Sequence, residues 1–182
     1  MEYYDSAVVD IETGGVHAGR SYVLQIAGVK FNSKTKAVSP DFFDRCLLPQ
    51  PTRAWDEGTR EFWLKRPELL RSMMARMEDT RKVLEDFAQW AGYGSLSFWA
   101  KPTHFDFAFL QCLYADYGMQ IPFGFRQAND QNSFARGVYF PEEPPKWEKI
   151  IPFQGEEHNA RDDCLHQLRV IYKLLDREPA PQ

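Results

Sequence analysis

An apolar run that ends in two carboxylates constrains this chain more than any other feature. Ser6 to Glu12 reads as a strand, buried at Ala7-Val8-Val9 and ending in Asp10-Ile11-Glu12, with Thr13-Gly14-Gly15 beyond it. Side chains alternate along a strand, so Asp10 and Glu12 point to the same face. Two carboxylates side by side repel and raise each other's pKa. A fold accepts that cost most readily when a multivalent cation lies between them, and oxygen-only ligands favour magnesium or manganese over zinc. Taken alone, the segment could equally be an exposed edge strand with a chance Asp-x-Glu.

The remaining runs set the frame around it. Tyr22 to Phe31 and Phe42 to Leu48 are strand-like, with the polar turn Asn32-Ser33-Lys34-Thr35-Lys36 between them, so the chain opens as an antiparallel meander. Short helical pieces are expected over Glu57 to Arg66 and Pro67 to Met77, then a clearer helix from Asp79-Thr80 to Gly92. A fourth strand, Leu96 to Ala100, leads into a helix on which Phe109, Leu113 and Tyr117 recur. Residues 119–157 are rich in Pro, Gly and aromatics, with a short strand near Phe125 and a short helix over Gln131 to Arg136. The last helix carries Leu165, Leu168, Ile171 and Leu175 on its apolar face. Strands first, then strand and helix alternating, indicate an α/β domain with a mixed central sheet flanked by helices.

The 182 residues, 43% of them hydrophobic, suit a single domain over 1–182 with a full core. Met1-Glu2-Tyr3-Tyr4-Asp5 lacks the basic and apolar regions of a signal peptide, and no apolar run is long enough to cross a bilayer. Cys46, Cys112 and Cys164 are odd in number and widely separated. They read as reduced thiols and predict a cytoplasmic protein. The formal charge of −4 argues against a tight duplex binder. Residues 53–82 carry a modest basic excess, from Arg53 to Lys82, that could offset it locally.

Two later segments join the first. Phe105-Asp106-Phe107-Ala108-Phe109-Leu110 sets an acid in an aromatic stretch, and His158-Asn159-Ala160-Arg161-Asp162-Asp163 precedes the last helix. In this order the three resemble the motifs of the DEDDh, or DnaQ-like, 3′–5′ exonucleases of the ribonuclease-H-like fold. Glu61-Phe62-Trp63-Leu64-Lys65 and the stretch from His158 to Gln167 are similar to the branch of exonuclease-VIII-like proteins and RNase AS. That branch holds DNA and RNA enzymes, and some of its members are dimers, so a homodimer is open.

The resemblance implies that Asp10, Glu12, Asp106 and Asp163 hold two Mg²⁺ or Mn²⁺ ions, with Asp10 bridging. It implies that His158 is the general base for the attacking water, work that suits an imidazole of pKa near ~6.5. Thr13, Gly14 and Gly15 would seat the 3′-terminal nucleotide, and Trp55 and Trp63 are candidates to stack on bases. Each residue has a plainer reading. Asp106 could simply start its helix, where a carboxylate favours the dipole. Asn159 can cap the last helix with Asp162 at its third position, as in a capping box, leaving Asp163 free. His166 would be exposed. Pro102 stands where the family often has Asn.

The expected activity is 3′–5′ exonucleolysis of single-stranded DNA or RNA ends, releasing nucleoside monophosphates. The alternatives are an exoribonuclease trimming RNA tails by the same mechanism, or an idle module that uses the fold only to bind nucleic acid or a partner.

Overall fold

The computed structural model describes residues 3–176, so Met1 and Glu2 of the leader reading lie outside it. β1 (Ser6–Thr13), β2 (Val23–Phe31) and β3 (Phe43–Leu47) form the expected meander, antiparallel at both junctions. Three short strands complete the sheet: β4 (Met77–Glu78), β5 (Ser97–Ala100) and β6 (Ala128–Asp130). The order is β4-β3-β2-β1-β5-β6, with β4, β5 and β6 each parallel to its neighbour. The sheet is therefore mixed, and β1 lies inside it. β4 was not anticipated, because two residues carry no periodicity; Met77 falls in what reads as a helix. Near Phe125 the chain makes a 3₁₀ turn (Phe125–Gln127), and the strand follows it.

Helices cover both faces: α1 (Glu57–Leu64), α2 (Pro67–Ala75), α3 (Thr80–Ala91), α4 (Thr103–Asp116), α5 (Gln131–Tyr139) and α6 (Ala160–Leu175). Ala7, Val9 and Ile11 of β1 pack with Val83, Leu84 and Phe87 of α3 and Phe109, Leu110 and Leu113 of α4. Val8 faces the other way, onto Cys164, Leu168 and Ile171 of α6. The alternation places Asp10 and Glu12 on the α6 side as well.

Two first-turn donors of α6 are satisfied, one across the fold and one by the N-cap Asn159. Ala160 N–H donates to Gln25 Oε1 at 3.2 Å, and Arg161 N–H to Asn159 Oδ1 at 3.2 Å. Each large apolar side chain buried under α6 contributes about 1.5–3 kcal/mol. That packing sets the register of α6 on β1, and the repelling carboxylates are carried along with it. No helix among the described residues is long and apolar enough to cross a membrane.

Candidate active site

The C-terminal end of β1 meets the first turn of α6. There one oxygen from each of Asp10, Glu12 and Asp163 lies within 4.8 Å of the others. Asp106, in the first turn of α4, lines the same cleft of about 410 Å³ but stands outside that trio. The β1–β5 ladder ends at Val8, and Asp106 Oδ1 accepts the Ile11 N–H that no strand takes, at 3.1 Å. So Asp106 does begin a helix, as its plainer reading had it, yet it is only 3% exposed and turned onto β1.

His158 reaches the cleft from the loop before α6. Its backbone is in the left-handed region, at φ 67°, an unfavourable place for a residue with a Cβ. Two contacts hold it there: its N–H donates to Asp163 Oδ2 at 2.9 Å, and its ring meets the Phe62 ring edge-on at 4.8 Å. Asp163 is thus not free, as the capping argument had it, but tied to the backbone of His158. Asp162 is not in a capping box either. Its Oδ2 accepts the Glu156 N–H at 2.8 Å and packs against Gly155, whose φ of 103° favours glycine and where the Asp162 carboxylate leaves no room for a Cβ. Asp162 therefore pins the loop that delivers His158.

Burial and mutual repulsion dominate the electrostatics. Burial first, then Asp106, Glu12 and Asp163, hold the Asp10 carboxyl well above the usual carboxylate range. Glu12 is raised well above its ordinary value by burial and then by Asp163 and Asp106. Burial pushes Asp106 up to about 7 and Asp163 up to about 6. His158 is shifted the other way, lowered by burial and then by the Arg66 guanidinium. At neutral pH its ring is consequently unprotonated and able to accept a proton.

Gln167 was not anticipated. It lies one turn beyond Asp163 on the same stripe of α6 and donates from Nε2 to Asp10 Oδ1 at 2.7 Å. Lys101 and His166 also line the cleft, so His166 is half-buried there rather than exposed. A glutamine two turns into an amphipathic helix gives no sequence signal until β1 is packed against it.

The aromatic and glycine expectations need correction. Trp63 is 1% exposed, and its Nε1–H donates to the Thr13 carbonyl at 2.9 Å. It braces the turn from inside and presents no face to a base. Trp55 remains 36% exposed. Thr13, Gly14 and Gly15 are buried, and none of them lines the cleft. A Cβ on Gly14 would come within 3.1 Å of the Trp55 ring, and one on Gly15 within 2.7 Å of Asp56 Cβ. The room those glycines leave is filled by the protein itself. Four of the eight basic residues of 53–82 are spent internally: Arg53, Arg71, Arg76 and Lys82 pair with Asp116, Glu68, Asp44 and Asp86.

The donor set fits divalent cations. It consists of hard carboxylate oxygens held above the ordinary carboxylate range first by burial and then by one another. This crowding makes stability depend on pH. The folded pKa values of Asp106 and Asp163, about 7 and about 6, exceed the unfolded value of about 3.9. A raised acid favours the fold while protonated and loses that contribution as pH climbs from the unfolded toward the folded value. In excess chelator, this cluster should therefore make the thermal midpoint fall as pH rises from about 4 to about 7. Mg²⁺ or Mn²⁺ should recover more of that loss at the alkaline end. Calorimetric scans across pH with and without metal check it, and a metal-induced rise equal at both ends would count against it.

A mixed sheet flanked by helices, with a buried acidic cleft at the end of its first strand, is the architecture of a 3′–5′ exonuclease domain of the DEDDh class. The chain belongs to the family described as the Rv2179c-like 3′–5′ exoribonuclease domain, which matches residues 5–175. No curated protein matches it. Among solved structures, cell-death related nuclease 4 (CRN-4) is similar at 18% identity and TM-score 0.70, over 94% of this chain and 64% of that one. The nuclease domain of 3′hExo bound to rAMP is similar at 15% identity and TM-score 0.66, over 98% and 95%. Exonuclease I of E. coli with a dT13 oligonucleotide is similar at 15% identity and TM-score 0.65, over 96% of this chain but 42% of that one. At these identities the structural likeness speaks for the fold.

Proposed function

We propose that the protein removes nucleotides one at a time from the 3′ end of single-stranded RNA, using two divalent ions and His158 as general base. The observation that carries the reading is the carboxylate trio set beside an imidazole held unprotonated. The family's description as an exoribonuclease favours RNA over DNA.

Asp10, Glu12, Asp106 and Asp163 would hold the ions. When bound, these would activate the attacking water and offset charge on the departing 3′ oxygen. His158 takes the proton of that water, and its ring is aimed by the Asp163 and Phe62 contacts rather than by a flexible loop alone. Gln167 holds Asp10 in one orientation, which keeps the carboxylate from rotating away under repulsion. Trp55, exposed beside the Gly14 turn but outside the residues lining the cleft, is the remaining ring that could stack on a substrate base.

Matched RNA and DNA oligonucleotides, incubated with Mg²⁺ or Mn²⁺, test the reading. RNA should be shortened stepwise to nucleoside monophosphates, with DNA of the same sequence degraded more slowly. A 3′-blocked RNA should resist, whereas a 5′-blocked one should not. Cutting of a closed circle would show an endonuclease instead, and equal rates on both polymers would remove the RNA assignment.

A further inference from the structure

Two grooves flank the Lys101-Pro102 turn outside the catalytic cleft. One, of about 470 Å³, runs past Pro102, His104, Phe125 and Arg136. The other, of about 280 Å³, is bounded by Lys101, Arg136 and Lys146. Lys101 and Pro102 also form a wall of the catalytic cleft, so the three concavities abut at one turn. The larger groove continues along α4 through Phe107, Gln111 and Phe125 into a further hollow of about 460 Å³.

Three cations border these grooves, and among the described residues Lys101, Arg136 and Lys146 are in no ion pair. All three are exposed. Two acids share the grooves, Asp130 and Glu143. The carboxylate of Asp130 is already engaged, accepting from Thr103 N–H at 3.0 Å and Ser133 N–H at 2.7 Å. Phe125 stands 73% exposed between the two α4 hollows, with the Arg126 guanidinium 5.1 Å from its ring centre. On a chain of net charge −4, cations grouped beside an open aromatic ring and continuous with the cleft are complementary to a single-stranded polyanion.

We propose that this surface is the track for the RNA chain on the 5′ side of the scissile bond. Lys101, Arg136 and Lys146 meet backbone phosphates as the strand leaves the cleft over the Lys101-Pro102 turn, and Phe125 offers a face to an upstream base. The inference rests on the function proposed above and adds how a longer substrate is held.

Binding of a fluorescent single-stranded RNA of about 12 nucleotides, followed by anisotropy, tests it. The Asp10→Asn chain serves as host, so that the probe is not degraded. Adding Arg136→Glu with Lys146→Glu should raise Kd at least about tenfold and flatten the dependence of log K on log salt, by about 0.7 for each phosphate no longer neutralised. Adding Phe125→Ala should raise Kd by about 5- to 150-fold with the salt slope unchanged, as expected when a base no longer stacks. In the otherwise native chain, the same changes should lower the ratio of kcat/KM on the 12-nucleotide RNA to that on a dinucleotide. Kd, salt slope and ratio all unmoved would overturn the track. Failure of the proposed function itself shows separately, as inability of the native chain to hydrolyse even the dinucleotide.

Discussion

His158→Ala is expected to slow RNA hydrolysis by roughly 10²–10⁴-fold, the span for loss of a positioned general base. Metal affinity should change little, because the four carboxylates stay. Saturating metal keeps those carboxylates ionised, so the acid limb of the rate profile then reports on the imidazole. Burial and Arg66 both lower the His158 pKa, which places that limb below the ordinary value of about 6.5. Below it the ring is protonated and cannot accept; above it the ring works. Arg66→Ala removes one of the two depressing influences and should move the limb to higher pH. A His158→Ala enzyme with the native rate, or one whose main defect is weak metal binding, would end the assignment.

Asp10→Asn should leave no measurable turnover and yet make the metal-free protein more resistant to heat. Asp10 is half-buried and feels Asp106, Glu12 and Asp163 together, so neutralising it relieves repulsion that bound cations otherwise offset. The Gln167 amide can still bond the new side chain. Turnover by single-turnover assay and the thermal midpoint in chelator at about pH 8 decide it, that pH being above the values of about 7 and about 6 at Asp106 and Asp163. Loss of both activity and stability would mark Asp10 as a structural residue. The pair Asp162 and Asp163 sharpens the point. Asp163→Asn should weaken metal affinity, whereas Asp162→Asn retains an oxygen for the Glu156 N–H and should do far less. Asp162→Ala releases the loop that carries His158 and should lower kcat with metal affinity kept.

Much of the frame was legible because period-2 and helical patterns report burial directly. β1, β2, β3 and β5 fall within a residue or so of their expected ends, and α6 begins just after its capping Asn159. Residues 77–78 and 125–130 were not, since their pairing comes from parallel neighbours far along the chain and leaves no local mark. The tryptophans misled for a related reason. An aromatic ring reads alike whether it faces core or solvent, and Trp63 is claimed by the Thr13 carbonyl fifty positions away. Arg53 reads as surface charge, but its guanidinium is buried against Asp116 and the carbonyls of Ala18 and Ser21.

By itself, the sequence determined that Asp10 and Glu12 share a face and that an acid stands near the start of each of two helices. Alternation and capping are local, and a local pattern can be read from a string. Only the tertiary structure decided what those acids became. Packing of α6 through Cys164, Leu168 and Ile171 brings Asp163 and Gln167 onto Asp10, over 150 positions away in sequence. The end of β5 lets Asp106 close on Ile11. Raised carboxyls, a lowered imidazole and a basic rim beside the cleft all depend on burial and on distances between remote residues, which no single stretch of the chain contains.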